Sequence, residues 1–202
     1  MKRTFKMILL VFGLATAMLA NPIAVFAAPA EPLDESETSR LLFIREEEKL
    51  ARDVYLTLAE SYDTQIFDNI SASEQNHMDA ILKLLNRYGL ADPALQGIGE
   101  FSVLEISDLY TSLIERGVIS EAEAFLVGGY IEEFDILDLW HAMEETDEAQ
   151  LDKVYANLCE GSYSHLVAFV GLYEKLSATD YEPQIMTDEE FERALEEASK
   201  LD

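Results

Sequence analysis

Residues 73–80 read SEQNHMDA and place a glutamate, Glu74, three residues before a histidine, His77. Residues three and four apart share one face of a helix. The pair therefore has the spacing of two ligands to one metal ion. A second reading competes with it. Ser71 stands three residues before Glu74, which is the spacing of a helix capping box. One E-x-x-H does not choose between them, but the other carboxylates and histidines do.

A helix turns about 100° per residue, and four long segments follow that period. Over residues 39–62, Leu41, Ile44, Ala51, Tyr55 and Leu58 form a stripe whose missing member is Glu48. A second helix is expected over about 72–88, closed by Gly89 and then Pro93. Its stripe is Glu74, His77, Ile81, Leu84 or Leu85, and Tyr88. A third opens at Ser120, which with Glu123 suits a capping box, and runs to about Glu145. It lines up Phe125, Gly129, Glu132, Ile136, Leu139 and Met143, with Asp135 one turn beyond Glu132. A fourth, about 147–176, lines up Leu151, Tyr155, Leu158, Ser162, His165, Phe169, Leu172 and Leu176.

Between the second and third helices lies a connection of about 30 residues with Gly97, Gly99 and a shorter helix over 102–117. A short amphipathic helix follows Thr187, at about 188–200. No segment alternates as a strand does. The expected fold is all-α: two helical hairpins joined by a long crossover into a four-helix bundle, with a short C-terminal helix.

Each long helix thus turns a carboxylate or imidazole toward its apolar side near mid-length. A lone buried carboxylate is costly unless it is paired or binds a metal. Four helices doing this together point to a shared centre, with Glu48, Glu74, His77, Glu132, Asp135 and His165 as candidate ligands. Carboxylates suit hard divalent ions, and imidazole tunes the set toward iron, manganese or zinc. Iron or manganese, one ion or two, is expected. His141 lies nine residues from Glu132 and points away from that stripe. Glu46, Glu47 and Glu133 flank the stripes and are expected to be solvated or hydrogen-bonded to a ligand histidine. Tyr55 and Tyr155 are expected as core aromatics, with a redox role as the competing reading.

Composition narrows the classes further. Residues 1–27 have a basic start at Lys2, Arg3 and Lys6, an apolar run from Met7 to about Leu19, and small residues at Val25 and Ala27. That is the pattern of a secretory leader cleaved after Ala27, followed by a flexible lead-in over 28–38 and the helical domain over 39–202. An exported protein is expected. The net charge is −26, and losing the three basic residues of the leader takes it to −29. Such a surface repels nucleic acid and anionic membrane and attracts metal cations. One cysteine, Cys159, rules out an intrachain disulfide and any cysteine-based zinc or iron centre.

The motifs EKLARDVY (48–55) and EQNH (74–77) resemble rubrerythrin, of the ferritin-like superfamily. More closely, EEEKLARDVY, SEQNHM, GGYIEEFDILDL, GSYSHLVAF and YEPQIMTDEEF resemble the ferritin-like family catalogued as domain of unknown function 2202, over about residues 39–195. The resemblance implies a di-metal carboxylate site and chemistry with dioxygen or peroxide, and it is compatible with a homodimer. It supplies no activity for the family itself. This chain departs from the di-iron pattern at one place. Glu48 to His77 spans 29 residues and Glu132 to His165 spans 33, yet the residue three before His165 is Ser162, not glutamate. Asp135 is the carboxylate placed to replace it in part. Three functions stay open: an oxidoreductase, a metal-sequestering module without turnover, and a metal-free scaffold.

Overall fold

The computed structural model describes residues 31–201. The leader expected over 1–27 lies outside them. Six helices follow in order: α1 (Glu35–Ala59), α2 (Gln65–Tyr88), α3 (Leu104–Gly117), α4 (Glu121–Glu145), α5 (Ala149–Ser177) and α6 (Asp188–Ala198). No strand occurs among the described residues, and no helix there is long and apolar enough to cross a membrane. α1 pairs with α2 and α4 with α5. The hairpins meet through α1 with α4 and α2 with α5, while α3 covers α1 and α4.

Two helices start earlier than their sequence pattern suggested. The lead-in expected to reach residue 38 ends at Asp34, which caps α1: its carboxylate accepts from the Glu37 N–H at 2.8 Å, and Glu37 accepts in return from the Asp34 N–H at 3.2 Å. α2 begins at Gln65, so Ser71 and Glu74 are both interior, and the Ser71 hydroxyl donates to the Asp68 carbonyl at 3.0 Å. The capping reading of Glu74 is thereby excluded. At α4 only half of the expected box forms. Ser120 accepts from the Glu123 N–H, but the Glu123 carboxylate is taken by Arg116 at 2.8 Å.

Two apolar clusters fill the bundle. One gathers Leu41, Ile81, Leu85, Leu139, Leu151 and Leu158. The other gathers Val54, Tyr55, Phe67, Phe125, Val127 and Phe169. Each buried side chain of this size contributes roughly 1.5–3 kcal/mol. Gly128 lets helix and ring approach closely, since a Cβ there would lie 2.5 Å from the Phe169 ring.

The crossover explains why α1 is polar and yet buried. Every residue from Ile44 to Ala51 is buried. Arg45 donates to both carboxylate oxygens of Asp92, at 2.9 and 2.7 Å, and to the Met78 carbonyl. Glu46 accepts from Ser102 at 2.8 Å. Lys49 pairs with Asp53, donates to the Gly97 carbonyl and sits under the Phe101 ring. Asp53 also receives Arg52 and the Gly99 N–H. Glu46 is therefore neither solvated nor bonded to histidine.

Glu133 departs from expectation in the same way. It is fully buried and accepts from the backbone N–H groups of Gln184, Ile185 and Met186 and from the Tyr181 hydroxyl. It fixes the strap that leads to α6. Gly129 leaves room for that hydroxyl, which would otherwise lie 2.3 Å from a Cβ.

Removing one partner of a buried ion pair leaves the other charge uncompensated, at about 3–5 kcal/mol. Lys49→Met is expected to destabilise the fold by that order in denaturant titration. A loss below about 1 kcal/mol would mean that the crossover is held by its other contacts alone.

Candidate metal centre

Glu48 on α1, Glu74 and His77 on α2, Glu132 and Asp135 on α4 and His165 on α5 converge between the two apolar clusters. All four carboxylates are buried, and the histidines are 8 % and 9 % exposed. His77 Nδ1 lies 3.1 Å from Glu48 Oε2 and 2.8 Å from Glu74 Oε2. His165 Nδ1 lies 2.8 Å from Glu74 Oε1 and 3.4 Å from Glu132 Oε2. The imidazole rings stack with centroids 5.7 Å apart. Two trios result, Glu48–Glu74–His77 and Glu74–Glu132–His165, each with ligand atoms within 4.8 Å of one another. Glu74 belongs to both.

The donor set fits hard divalent ions, and the unpaired atoms fit them too. Glu48 Oε1, Glu74 Oε1, Asp135 Oδ1 and His165 Nδ1 are buried without a hydrogen-bond partner. Glu74 Oε1 and His165 Nδ1 are close, yet the angles are wrong for a hydrogen bond. They point at shared space rather than at each other, as two ligands of one ion do. Buried polar atoms are otherwise almost always paired.

Neighbouring groups fix the ligands. Tyr55 donates to Glu132 Oε1 at 2.5 Å, which leaves Oε2 facing His165. Its ring packs on Phe169, so Tyr55 is core aromatic and site neighbour at once. Ser162, on α5 and fully buried, donates to Asp135 Oδ2. A Cβ at Gly161 would lie 2.6 Å from His77 Nε2, so glycine lets α5 pass against that ring. The sequence gave no sign of Gly161's role. His141 is exposed and apart from the centre. Tyr155 is buried but its hydroxyl opens on a separate cavity of about 10 Å³ beside Glu37, Arg40 and Thr146. It is ordinary core with respect to the centre.

Glu47 also departs from expectation. It is 3 % exposed, and neither oxygen finds a donor. Burial, then the charges of Asp138 and Asp135, pushes its carboxyl well above the usual range.

The chain belongs to the family described as an uncharacterized protein domain, DUF2202, which matches residues 37–198. It is similar to the uncharacterized protein MJ0754 of Methanocaldococcus jannaschii, 42 % identical over 177 residues, 87 % of this chain and 95 % of that one. The crystal structure of MJ0754, a hypothetical protein in that description, superposes with a TM-score of 0.79 at 43 % identity, covering 85 % of this chain and 98 % of the other. The family match thus spans both trios.

Electrostatics make the centre sensitive to pH when no ion is bound. Burial lowers the histidines, but Glu48 and Glu74 outweigh it and raise His77 to about 12, and Glu132 and Glu74 raise His165 to about 10. Burial also raises Glu74, but His165 and His77 outweigh it and hold its carboxyl far below the usual range. Burial, then Glu74 and Glu132, raises Asp135 to about 7. Burial likewise raises Glu48 and Glu132. The raised histidines contribute stability that is complete below 6.5 and is lost as pH climbs through about 10 and about 12. Asp135 opposes folding, with a cost absent below 3.8 and complete above about 7. Glu74 contributes stability that is lost only as pH falls below 4.5. Metal-stripped protein should therefore melt at a higher temperature near pH 5 than near pH 8. Calorimetry with chelator present checks this, and a flat or reversed profile would contradict it.

Proposed function

We propose that this chain is a ferritin-like metalloprotein that binds two divalent ions, iron or manganese, in the bundle core. Zinc fits the same donors less well, because four of the six are carboxylate. The observation that carries the reading is Glu74, shared between two trios that each contain one imidazole nitrogen. Glu48 and His77 would hold one ion and Glu132 and His165 the other, with Glu74 between them and Asp135 nearby. Such a pair supplies one-electron chemistry toward dioxygen or peroxide. The chain's own contribution is a centre walled by apolar clusters at both ends, which keeps water and side reactions out. Tyr55 would hold Glu132 to one face of the ion pair. The leader pattern over 1–27 supports action outside the cytoplasmic membrane.

A second reading, sequestration without turnover, has its own support. Position 162 offers a hydroxyl already committed to Asp135, so the second trio lacks the carboxylate that completes a di-iron site. Ferrous-oxidation and peroxide-consumption assays separate the two readings.

Elemental analysis of untagged protein should find iron or manganese. Titration of stripped protein should resolve two steps, the second weaker. Ligand binding to the native state alone adds RT ln(1 + [L]/Kd), about 3 kcal/mol at a hundredfold excess over Kd. The melting temperature should rise accordingly, and Glu74→Gln should abolish most of that rise. No shift with ferrous iron, manganese or zinc would leave the metal-free scaffold as the answer.

A further inference from the structure

Outside the two trios, the buried carboxylates of α1 and α4 are supplied with donors, with one exception. Asp53 receives Lys49, Arg52 and the Gly99 N–H. Glu133 receives three backbone N–H groups and a tyrosine hydroxyl. Glu46 receives Ser102. Glu47 is 3 % exposed and receives nothing at either oxygen. A buried, donorless carboxylate is expensive, and its surroundings do not offset the cost. The charges that weigh on it are Asp138, then Asp135, then Glu48, all of the same sign.

These residues lie in a line along the seam of α1 and α4. Asp138 is at the outer end, its side chain 17 % exposed and held by Arg40 Nη1 at 3.0 Å. Asp135, one turn earlier on α4, is buried with Oδ1 unpaired and is the carboxylate nearest the trios on that side. Glu47 is bracketed by the two and is next in sequence to Glu48. Outside the mouth, a surface groove is lined by Ser36, Ser39, Arg40 and Phe43. Arg40 also holds Glu145 at 3.2 Å, so it keeps a partner when Asp138 lets go.

We propose that this seam is the uptake route for the centre, in which Asp138, Glu47 and Asp135 hand a divalent cation inward from solvent to the trios. The inference rests on the metal reading given above. Hard cations exchange water for carboxylate oxygen readily, and a cation is the partner that a donorless carboxylate among carboxylates requires. The line serves passage rather than storage. Among the described residues, Glu47, Asp135 and Asp138 do not close into a trio of the kind found at the centre. The opposite approach, past the imidazole edges between α2 and α5, offers no carboxylate to lead a cation in.

The test is the rate of manganese uptake by stripped full-length protein, followed by loss of the aqueous manganese EPR signal, with the final stoichiometry measured separately. Glu47→Gln keeps the shape of the side chain and relieves repulsion, so it should fold at least as well as wild type. It should reach the wild-type stoichiometry about tenfold more slowly, the effect of about 1.4 kcal/mol on a barrier. Asp138→Asn should slow uptake in the same direction, and Glu115→Gln, an exposed acid elsewhere, should not. Equal rates for wild type, Glu47→Gln and Asp138→Asn would overturn the route and leave the metal reading standing. A lost ion at the endpoint of Glu47→Gln would make Glu47 a ligand and also overturn it. A wild type that takes up no ion would overturn the metal reading, and the route with it.

Discussion

Four carboxylates and two imidazoles share one dry space between four helices, and that concentration of charge is the constraint from which the rest follows. Even with both imidazoles protonated, the carboxylates outnumber them, so the centre repels itself unless protons or cations enter. In a medium of low polarisability this repulsion is large. The protein answers it by distributing the charges over α1, α2, α4 and α5, so that no single helix has to bring more than two of them together. It seals the centre with an aliphatic cluster at one end and an aromatic cluster at the other. Tyr55 and Ser162 each take one oxygen of a carboxylate on α4. The remaining lone pairs face inward.

α1 bears the greatest load. From Ile44 to Ala51 it is buried on every side, and each polar residue there is assigned to a different neighbour. Arg45 goes to Asp92, Glu46 to Ser102, Glu47 to the α4 seam, Glu48 to the centre and Lys49 to Asp53 and Gly97. The crossover therefore does more than connect hairpins. It supplies carbonyls and side chains that satisfy the outer polar face of the helix that carries Glu48, and so it fixes the direction in which Glu48 points.

The period of 3.6 residues was enough to find the six converging residues, because each stripe had a polar member where an apolar one belonged. It also placed His141 on the outside. It failed for Glu46, Glu47 and Glu133, whose burial depends on a crossover and a C-terminal strap that arrive from far along the chain. A helical stripe records which face meets the core, but not what later covers the opposite face. The start of α2 was missed for a local reason: Thr64 occupies the cap position without a side-chain hydrogen bond there. The half-formed box at Ser120 was misread because Arg116 competes for Glu123, which no spacing rule reveals.

Ser162 and Asp135 are best understood together. A glutamate at 162 would have to fit where the side chain is now fully buried, beside Gly161, at the point where α5 rests against His77. Serine at 162 and glycine at 161 keep α5 close there. The hydroxyl then donates to Asp135 Oδ2, which leaves Oδ1 unpaired. The carboxylate that α5 lacks is thus present on α4, one turn from Glu132, and α5 contributes only the nitrogen of His165. The two halves of the centre are no longer equivalent: one has its carboxylate and histidine on the same helix, and the other has them on facing helices. An ion held by the second half depends on how α4 and α5 sit against each other. An ion held by His77 and Glu74 sits on α2, where ligand spacing is set by a single helical turn.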